Sequence, residues 1–204
     1  MKYICKTAEP EAFRRWKTRN KDANKWDDLP IIPERRELRK HLINEQLGMC
    51  CYCEMMISLE ESHIEHLKPK GNPSYRKDMF SYGNLLASCN GKDSRGNKKQ
   101  NWYEPEMVSP LDKNCADRFR YNLQNGRITP SDETDTWAET SIEKLGLNCR
   151  RLKDRRKSII MGLENVGEAY LERVMKNTLE GEKEWPFGFF TVLFYVAESW
   201  DISI

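Results

Sequence analysis

The sequence predicts an α+β fold that is mostly helical, with a small region of strands between two helical parts. Apolar residues recur at helical spacing over 33–47, and again in a stripe over 163–175. From 50 to 102 the pattern changes, because short apolar pieces alternate with Gly, Pro, Asn and Ser. That alternation is typical of short strands joined by loops.

The predicted elements follow one another as helices, then strands, then helices again. A proline at position 10 suits the first turn of the first helix, and Gly48 suits the end of the second. In order, the predicted elements are a helix within 8–20, a helix over 33–47, a strand over 63–67, a strand after 83, a hairpin around 125–126, helices from 134 onward and a buried apolar helix within 187–197.

The composition is that of a folded protein with a modest core and a strongly charged surface. Hydrophobic residues make up 38% of the chain, charged residues 32% and aromatic residues 10%, and the net charge is only +2. Between His66 and Asn101, however, eight basic residues face two acidic ones. Such a strip suits a phosphate-rich partner. A second basic run, 150–157, is better explained, when taken alone, by a solvated surface.

Seven cysteines are an odd number, and the sequence shows no signal peptide and no apolar span of membrane length. Reduced thiols are therefore expected rather than disulfides. These observations predict a cytoplasmic protein without a membrane partner.

The cysteines and histidines are concentrated in one short stretch. Cys50 and Cys53 have the spacing of one half of a tetrahedral zinc site, and Cys89 is the one obvious contributor to the other half. A clean fourth ligand is missing from the sequence nearby. The alternative is that the three thiols are reduced and buried as small apolar residues.

Two of the three histidines flank an acidic residue in His63-Ile64-Glu65-His66. The spacing does not fit the zinc-protease pattern HExxH. A carboxylate binds a hard cation such as Mg²⁺ or Mn²⁺, and a neutral imidazole beside it can deprotonate water. This chemistry suits phosphodiester hydrolysis, whereas a surface His–Glu pair without a catalytic role is the alternative.

Taken together, these motifs closely resemble an HNH endonuclease. The resemblance covers 48–130 well and the flanking helices loosely, and the part beyond residue 100 is similar to one branch of the family. That branch includes the nuclease subunit (PtuB) of the Septu anti-phage system and retron-associated relatives. The matching motifs are Cys50-x-x-Cys53, HIEHLKPK at 63–70, YGNLLASCNG at 82–91, GNKK at 96–99, NWY at 101–103, VSPLD at 108–112, Cys115 and Arg118-Phe119.

The resemblance implies a ββα-metal core embedded between the N- and C-terminal helices. Glu65 would be the first ligand of the catalytic Mg²⁺ or Mn²⁺, and His66 would be the general base. Asn84 would hold the hairpin loop through backbone hydrogen bonds. Asn97 would be the second metal ligand, with Asn90 as its rival for that role.

Other roles implied by the resemblance remain open at this stage. His63 could touch the substrate phosphate, assist the metal or serve as a hydrogen-bonded scaffold. Lys68, Lys98 and Lys99 are expected to contact nucleic acid as exposed lysines. Many relatives have a further zinc-binding Cys where this chain has Arg95. The structural zinc would then be lost, or a residue from elsewhere, such as Cys115, would complete it.

The expected function is metal-dependent cleavage of nucleic acid, with DNA as the expected substrate. The resemblance also implies a role in anti-phage defence with a partner ATPase (PtuA-like). The expected division is a helical segment over 1–48, the nuclease core over 49–130 and a helical region over 131–204. The competing possibilities are a non-catalytic, zinc-dependent interaction module and an RNase that uses the same site.

Overall fold

The computed structural model of the chain describes residues 1–90, 96–179 and 187–202. Within these ranges, helices surround two small antiparallel pairs of strands, which confirms the predicted α+β class. In chain order the elements are α1 (Glu11–Arg19), α2 (Arg36–Glu45), β1 (Ser62–His66), β2 (Leu85–Cys89), α3 (Gly96–Lys99), β3 (Phe119–Tyr121), β4 (Ile128–Pro130), α4 (Thr136–Lys144), α5 (Arg150–Val166), α6 (Glu168–Leu179) and α7 (Phe190–Ser199).

Helix α2 packs the N-terminal part onto the strands. Leu38 and Leu42 lie one turn apart on its buried face, as their spacing predicts. The helix ends at Glu45, before the predicted stop. Gly48 has a φ of +79° and donates its N–H to the carbonyl of Ile43, so the glycine closes the turn that follows the helix.

Strands β1 and β2 pair antiparallel, and the register places Ser62 opposite Cys89 and His66 opposite Leu85. Strand β2 is buried along its whole length. A side-chain amide occupies part of its second edge: Gln46 Oε1 accepts from the N–H of Ala87, and Gln46 Nε2 donates to the Ala87 carbonyl. Gln46 therefore pairs with buried backbone groups as a third strand would.

The predicted hairpin near residue 125 is the β3–β4 pair, and α5 packs against its turn. Gly126 has a φ of +68°, and a Cβ atom there would lie 2.3 Å from the carbonyl oxygen of Lys153. Arg156 is buried on α5, and its guanidinium donates to the carbonyls of Gly126 and Leu147. These bonds hold the hairpin turn on the helix.

Helix α7 is the predicted apolar helix, and it docks on the residue that follows the cysteine pair. The Glu54 carboxylate accepts from the N–H of Thr191 at 2.8 Å and from its hydroxyl at 2.6 Å. The amino group of Met1 lies 2.9 Å from the same carboxylate. Although burial opposes it, this positive charge lowers the pKa of Glu54.

One hydrophobic core joins residues from all three predicted segments, from Phe13 on α1 through Leu86 on β2 to Val192 on α7. The division at 48 and 130 stays a prediction. None of the helices described for this chain is long and apolar enough to span a bilayer.

Gln46→Ala is expected to lower the free energy of unfolding by about 2–4 kcal/mol, because it leaves the buried N–H of Ala87 and the carbonyl of Met49 without their side-chain partner. Urea denaturation followed by circular dichroism measures the change. Gln124→Ala, an exposed glutamine near the hairpin turn, should change stability by less than about 0.5 kcal/mol. Equal effects of the two substitutions would contradict the proposed pairing.

Candidate active site

His63 and Glu65 lie two residues apart on β1 and so share a face of the strand. The Nε2 atom of His63 lies 3.3 Å from Glu65 Oε2, and its Nδ1 donates to the side-chain carbonyl of Asn90 at 2.8 Å. Although burial opposes it, the hydrogen bond to Glu65 raises the pKa of His63. Both ring nitrogens therefore have hydrogen-bond partners, and the role of His63 in catalysis stays a prediction.

The Glu65 carboxylate is buried and surrounded by donors. Its Oε1 atom accepts from the Tyr52 hydroxyl at 3.1 Å and from Lys99 Nζ at 2.9 Å. Burial alone would raise the pKa of Glu65, but the His63 hydrogen bond and the Lys99 charge outweigh it and lower the pKa. Glu65 is therefore ionised at neutral pH, as a ligand of a hard cation must be.

Lys99 does not lie on the surface, where the sequence places it. Only 1% of the residue is exposed, and its ammonium bonds to Glu65 and to the carbonyl of His66 at 3.1 Å. The short helix α3 turns this lysine inward while its neighbour Lys98 faces solvent. The prediction that Lys99 is an exposed contact for nucleic acid is therefore wrong. Lys68 is half-buried and lies 3.3 Å from Asp78.

His66 ends β1 in an environment that keeps its imidazole neutral. Burial, with the nearby charge of Lys70, lowers the pKa of His66 to about 4. Its Nε2 atom lies 3.1 Å from the carbonyl of Met79. Because a carbonyl only accepts, Nε2 carries the proton and Nδ1 carries the lone pair. The ring also meets the indole of Trp26 edge-on, with ring centroids 4.5 Å apart.

Glu65 and His66 make separate contacts, because neighbouring residues of a strand point to opposite faces. Glu65 contacts Tyr52 and His63, whereas His66 contacts Met79 and Trp26. Lys99 bonds to the side chain of one and the backbone of the other, and so connects them.

Asn84 braces the loop between the two strands through backbone bonds alone. Its Oδ1 atom accepts from the N–H of Lys68 at 2.7 Å, and its Nδ2 donates to the carbonyls of Lys68 and Asp78, each at 3.1 Å. The loop therefore leaves β1 and returns to β2 in a set geometry. The part that Asn84 plays in catalysis stays a prediction.

The two asparagines proposed for the second metal ligand differ in what the structure describes. The backbone of Asn97 belongs to α3, but its side chain lies outside the described part, and so does all of Arg95. Asn90 uses its amide on β1, since Oδ1 accepts from His63 and Nδ2 donates to the carbonyl of Ser62.

The three predicted zinc ligands come together. The Sγ atoms of Cys50, Cys53 and Cys89 lie within 4.8 Å of one another, and those of Cys53 and Cys89 are 3.8 Å apart. Ligands at the usual Zn–S distance in a tetrahedron are about 3.8 Å apart, so the donor set fits zinc. Hydrogen bonds, first that of the neighbouring Cys51, lower the pKa of Cys50 well below its usual value.

Cys115 does not join this group. Its Sγ atom donates to the carbonyl of Met1 at 3.3 Å, and among the described residues the cluster of possible metal ligands has only the three members above. The suggestion that Cys115 completes the zinc site is therefore wrong, because β2 and the 50–53 turn place their thiols elsewhere in the core.

Sequence reasoning missed Tyr52 and Trp26. Tyr52 lies between Cys50 and Cys53, and this position in the sequence could have indicated that its side chain points toward β1. Trp26 lies forty residues before His66, and no local pattern links the two. Their contact depends on the packing of the N-terminal segment against the loop that Asn84 braces.

Comparison with known proteins supports an endonuclease of the HNH type, the class that the sequence predicts. Two relatives bear the name "putative HNH endonuclease". That of retron Ec83 from Escherichia coli is 24% identical, over 88% of this chain and 86% of its own. That of retron Vc95 from Vibrio cholerae is 29% identical, over 60% of this chain and 63% of its own. No family model matches the chain.

His66 should make stability depend on pH in a defined window. The unfolded imidazole takes up its proton below about pH 6.5 and the folded one only near pH 4. The contribution of His66 to the free energy of unfolding is therefore complete above pH 6.5. It is lost as the pH falls to about 4, which lowers the free energy of unfolding by about 3 kcal/mol. Urea unfolding of the wild type and of His66→Gln at both pH values measures it. An equal loss in both proteins would contradict the buried neutral histidine.

The cysteine cluster should retain about one zinc ion per chain through gel filtration, as measured by mass spectrometry of the metal. Cys53→Ala should lose most of it, because the substitution removes one of three converging thiols. Cys5→Ala, at an exposed cysteine, is the matched control and should keep the metal. Retention of zinc by Cys53→Ala would place the ion at other residues.

Proposed function

We propose that the chain is a metal-dependent HNH endonuclease that hydrolyses phosphodiester bonds in nucleic acid, with His66 as its general base. The observation that carries the proposal is the buried, neutral imidazole whose proton is held on Nε2 by the Met79 carbonyl. The lone pair on Nδ1 is then available for a proton from water.

The ionised Glu65 supplies the second element of the proposed site. Glu65 and the amide of Asn97 would hold Mg²⁺ or Mn²⁺, which offsets the negative charge of the phosphate when bound. Two protein ligands suit Mg²⁺, because this ion usually keeps several waters and binds substrate phosphates directly. His63 would orient the Glu65 carboxylate through its 3.3 Å contact, rather than touch the substrate.

In the proposed reaction, His66 Nδ1 takes a proton from a water molecule as its oxygen attacks the phosphorus. The P–O bond in line with the attack breaks, and the leaving oxygen takes a proton from solvent. The Met79 carbonyl holds the imidazole in the tautomer that this transfer needs. Asn84 keeps the loop that carries Met79 and Lys68 in place. The exposed Lys98 and the half-buried Lys68 would contact the phosphate backbone and supply affinity without reading bases.

Zinc on Cys50, Cys53 and Cys89 would have a structural role in this proposal. It would tie the 50–53 turn to the end of β2, and so support the strand that lies beside Glu65 and His66. The nuclease core would span 49–130, between helical regions over 1–48 and 131–204.

A role in anti-phage defence is the biological setting that we propose. The support is that both relatives carry retron names, together with the resemblance of the motifs to the Septu branch. In that setting DNA is the proposed substrate, a PtuA-like ATPase is the proposed partner, and the protein acts in the cytoplasm. Co-purification with the product of a neighbouring ATPase gene tests the partner.

His66→Ala should lower the rate of metal-dependent plasmid nicking by about 100- to 10,000-fold, because it removes the proton acceptor. The assay compares Mn²⁺, Mg²⁺ and EDTA. His41→Ala is the matched control, because it changes the one histidine of the chain that lies outside the 63–66 motif. This variant should nick at nearly the wild-type rate.

Retained metal-dependent nicking by His66→Ala would exclude His66 as the base. One tightly held zinc without cleavage of DNA or RNA by the wild type would favour a non-catalytic zinc module, the second candidate that the three-cysteine cluster supports. Cleavage of RNA alone would identify an RNase that uses the same site.

A further inference from the structure

Two lysines that follow the candidate base each lie over an aromatic ring. Lys70 Nζ is 5.4 Å from the centre of the Trp26 ring, and Lys68 Nζ is 6.0 Å from the centre of the Tyr75 ring. The two lysines are only two residues apart, so their Cα atoms are at most about 7 Å apart. The site is thus bordered by two adjacent pairs, each made of a ring and a lysine.

The first pair directly adjoins the candidate catalytic centre. Trp26 is half-buried, and its ring contacts the His66 imidazole at 4.5 Å between centroids. The ring also stacks at a 22° angle on Phe80, which supports it from the loop between β1 and β2. Lys70, which is exposed, and Arg35 both lie 5.4 Å from the ring centre, so a base that stacks on the indole would displace Lys70 toward solvent.

The second pair lies on the same loop. Tyr75 is half-buried, and its ring meets that of Tyr103 edge-on, with centroids 5.1 Å apart. Tyr103 comes from the segment after α3, so the pair is held by two separate parts of the chain. Supported rings of this kind keep their orientation when a ligand stacks on them.

The charges around the two rings favour an anionic ligand. Arg35 lies 5.4 Å from the Trp26 ring centre and donates to the Trp26 carbonyl. Arg76 and Lys77 are exposed beside Tyr75. Asp27 and Asp78 are the acidic side chains in contact with these cations, through Arg35 and Lys68. Aromatic rings interleaved with cations are typical of surfaces that bind single-stranded nucleic acid.

We propose that the site binds an unpaired strand, with one base stacked on Trp26 and another on Tyr75 while Lys70 and Lys68 turn to the phosphates. Bases in a duplex are already stacked on both faces, whereas an unpaired base offers a face to the ring. The inference rests on the proposed function, because it assigns the strand that reaches His66. It makes Trp26 a substrate-positioning residue that lies outside the 49–130 core.

The test uses an oligonucleotide with 2-aminopurine, whose fluorescence falls when the base stacks, bound to a Glu65→Gln background, which is expected not to cleave because it lacks the proposed metal ligand. The single strand should bind with quenching, and the same sequence as a duplex should bind more weakly. Trp26→Leu should lose the quenching and weaken binding by about 5- to 150-fold, and Trp26→Phe should keep most of both. Tyr75→Leu should show the same loss at a second label position.

Trp137→Leu, at a half-exposed tryptophan on α4, is the matched control and should bind like the background protein. Thermal melts followed by circular dichroism show whether each variant is folded. If Trp26→Leu is unfolded, the binding and quenching of Trp26→Phe provide the test. Unchanged quenching and affinity in a folded Trp26→Leu relative to the control, loss of both in a folded Trp26→Phe, or tighter binding of the duplex would overturn the inference. Cleavage is measured separately. A wild-type protein that quenches the fluorescence of the bound strand but never nicks nucleic acid would therefore contradict only the proposed nuclease activity.

Discussion

The antiparallel pairing of β1 with β2 is the constraint on which both candidate sites depend. Strand β1 carries Glu65 and His66, and β2 ends in Cys89, so one register places the candidate catalytic residues and one thiol of the candidate zinc site. A slip of one residue would exchange the faces of Glu65 and His66. The burial of β2 along its length makes such a slip costly, because it would also break the packing of its side chains.

The two sites are also linked through the backbone of β2. The carbonyl of Ala87 accepts from Gln46 at the end of α2 and from the N–H of Cys51 in the cysteine turn. Tyr52, the next residue, donates to Glu65. A metal on the three thiols would therefore stiffen the 50–53 turn, which contacts the Glu65 carboxylate through Tyr52. In this way a zinc ion would affect a reaction in which it takes no direct part.

Much of the local structure could be predicted from residue patterns. The alternation over 63–67 gave a strand, and the spacing of the cysteines gave a cluster that the structure brings together. The errors concern which way a side chain points. Lys99 looked like one more exposed lysine, and Cys115 looked available for zinc. A residue in a four-residue helix has no amphipathic pattern from which its orientation can be predicted, and a lone cysteine has no partner at a diagnostic spacing.

The sequence by itself determined the class of fold, the strands that carry the candidate residues and the chemistry of the donors, because these depend on periodicity and on residue type over short distances. Only the tertiary structure decided the environment of each group. Burial and the Met79 carbonyl set the protonation of His66, and Lys99 ties it to Glu65. Trp26 reaches the site from forty residues away. Such contacts join distant segments through packing, and no local pattern in the chain encodes them.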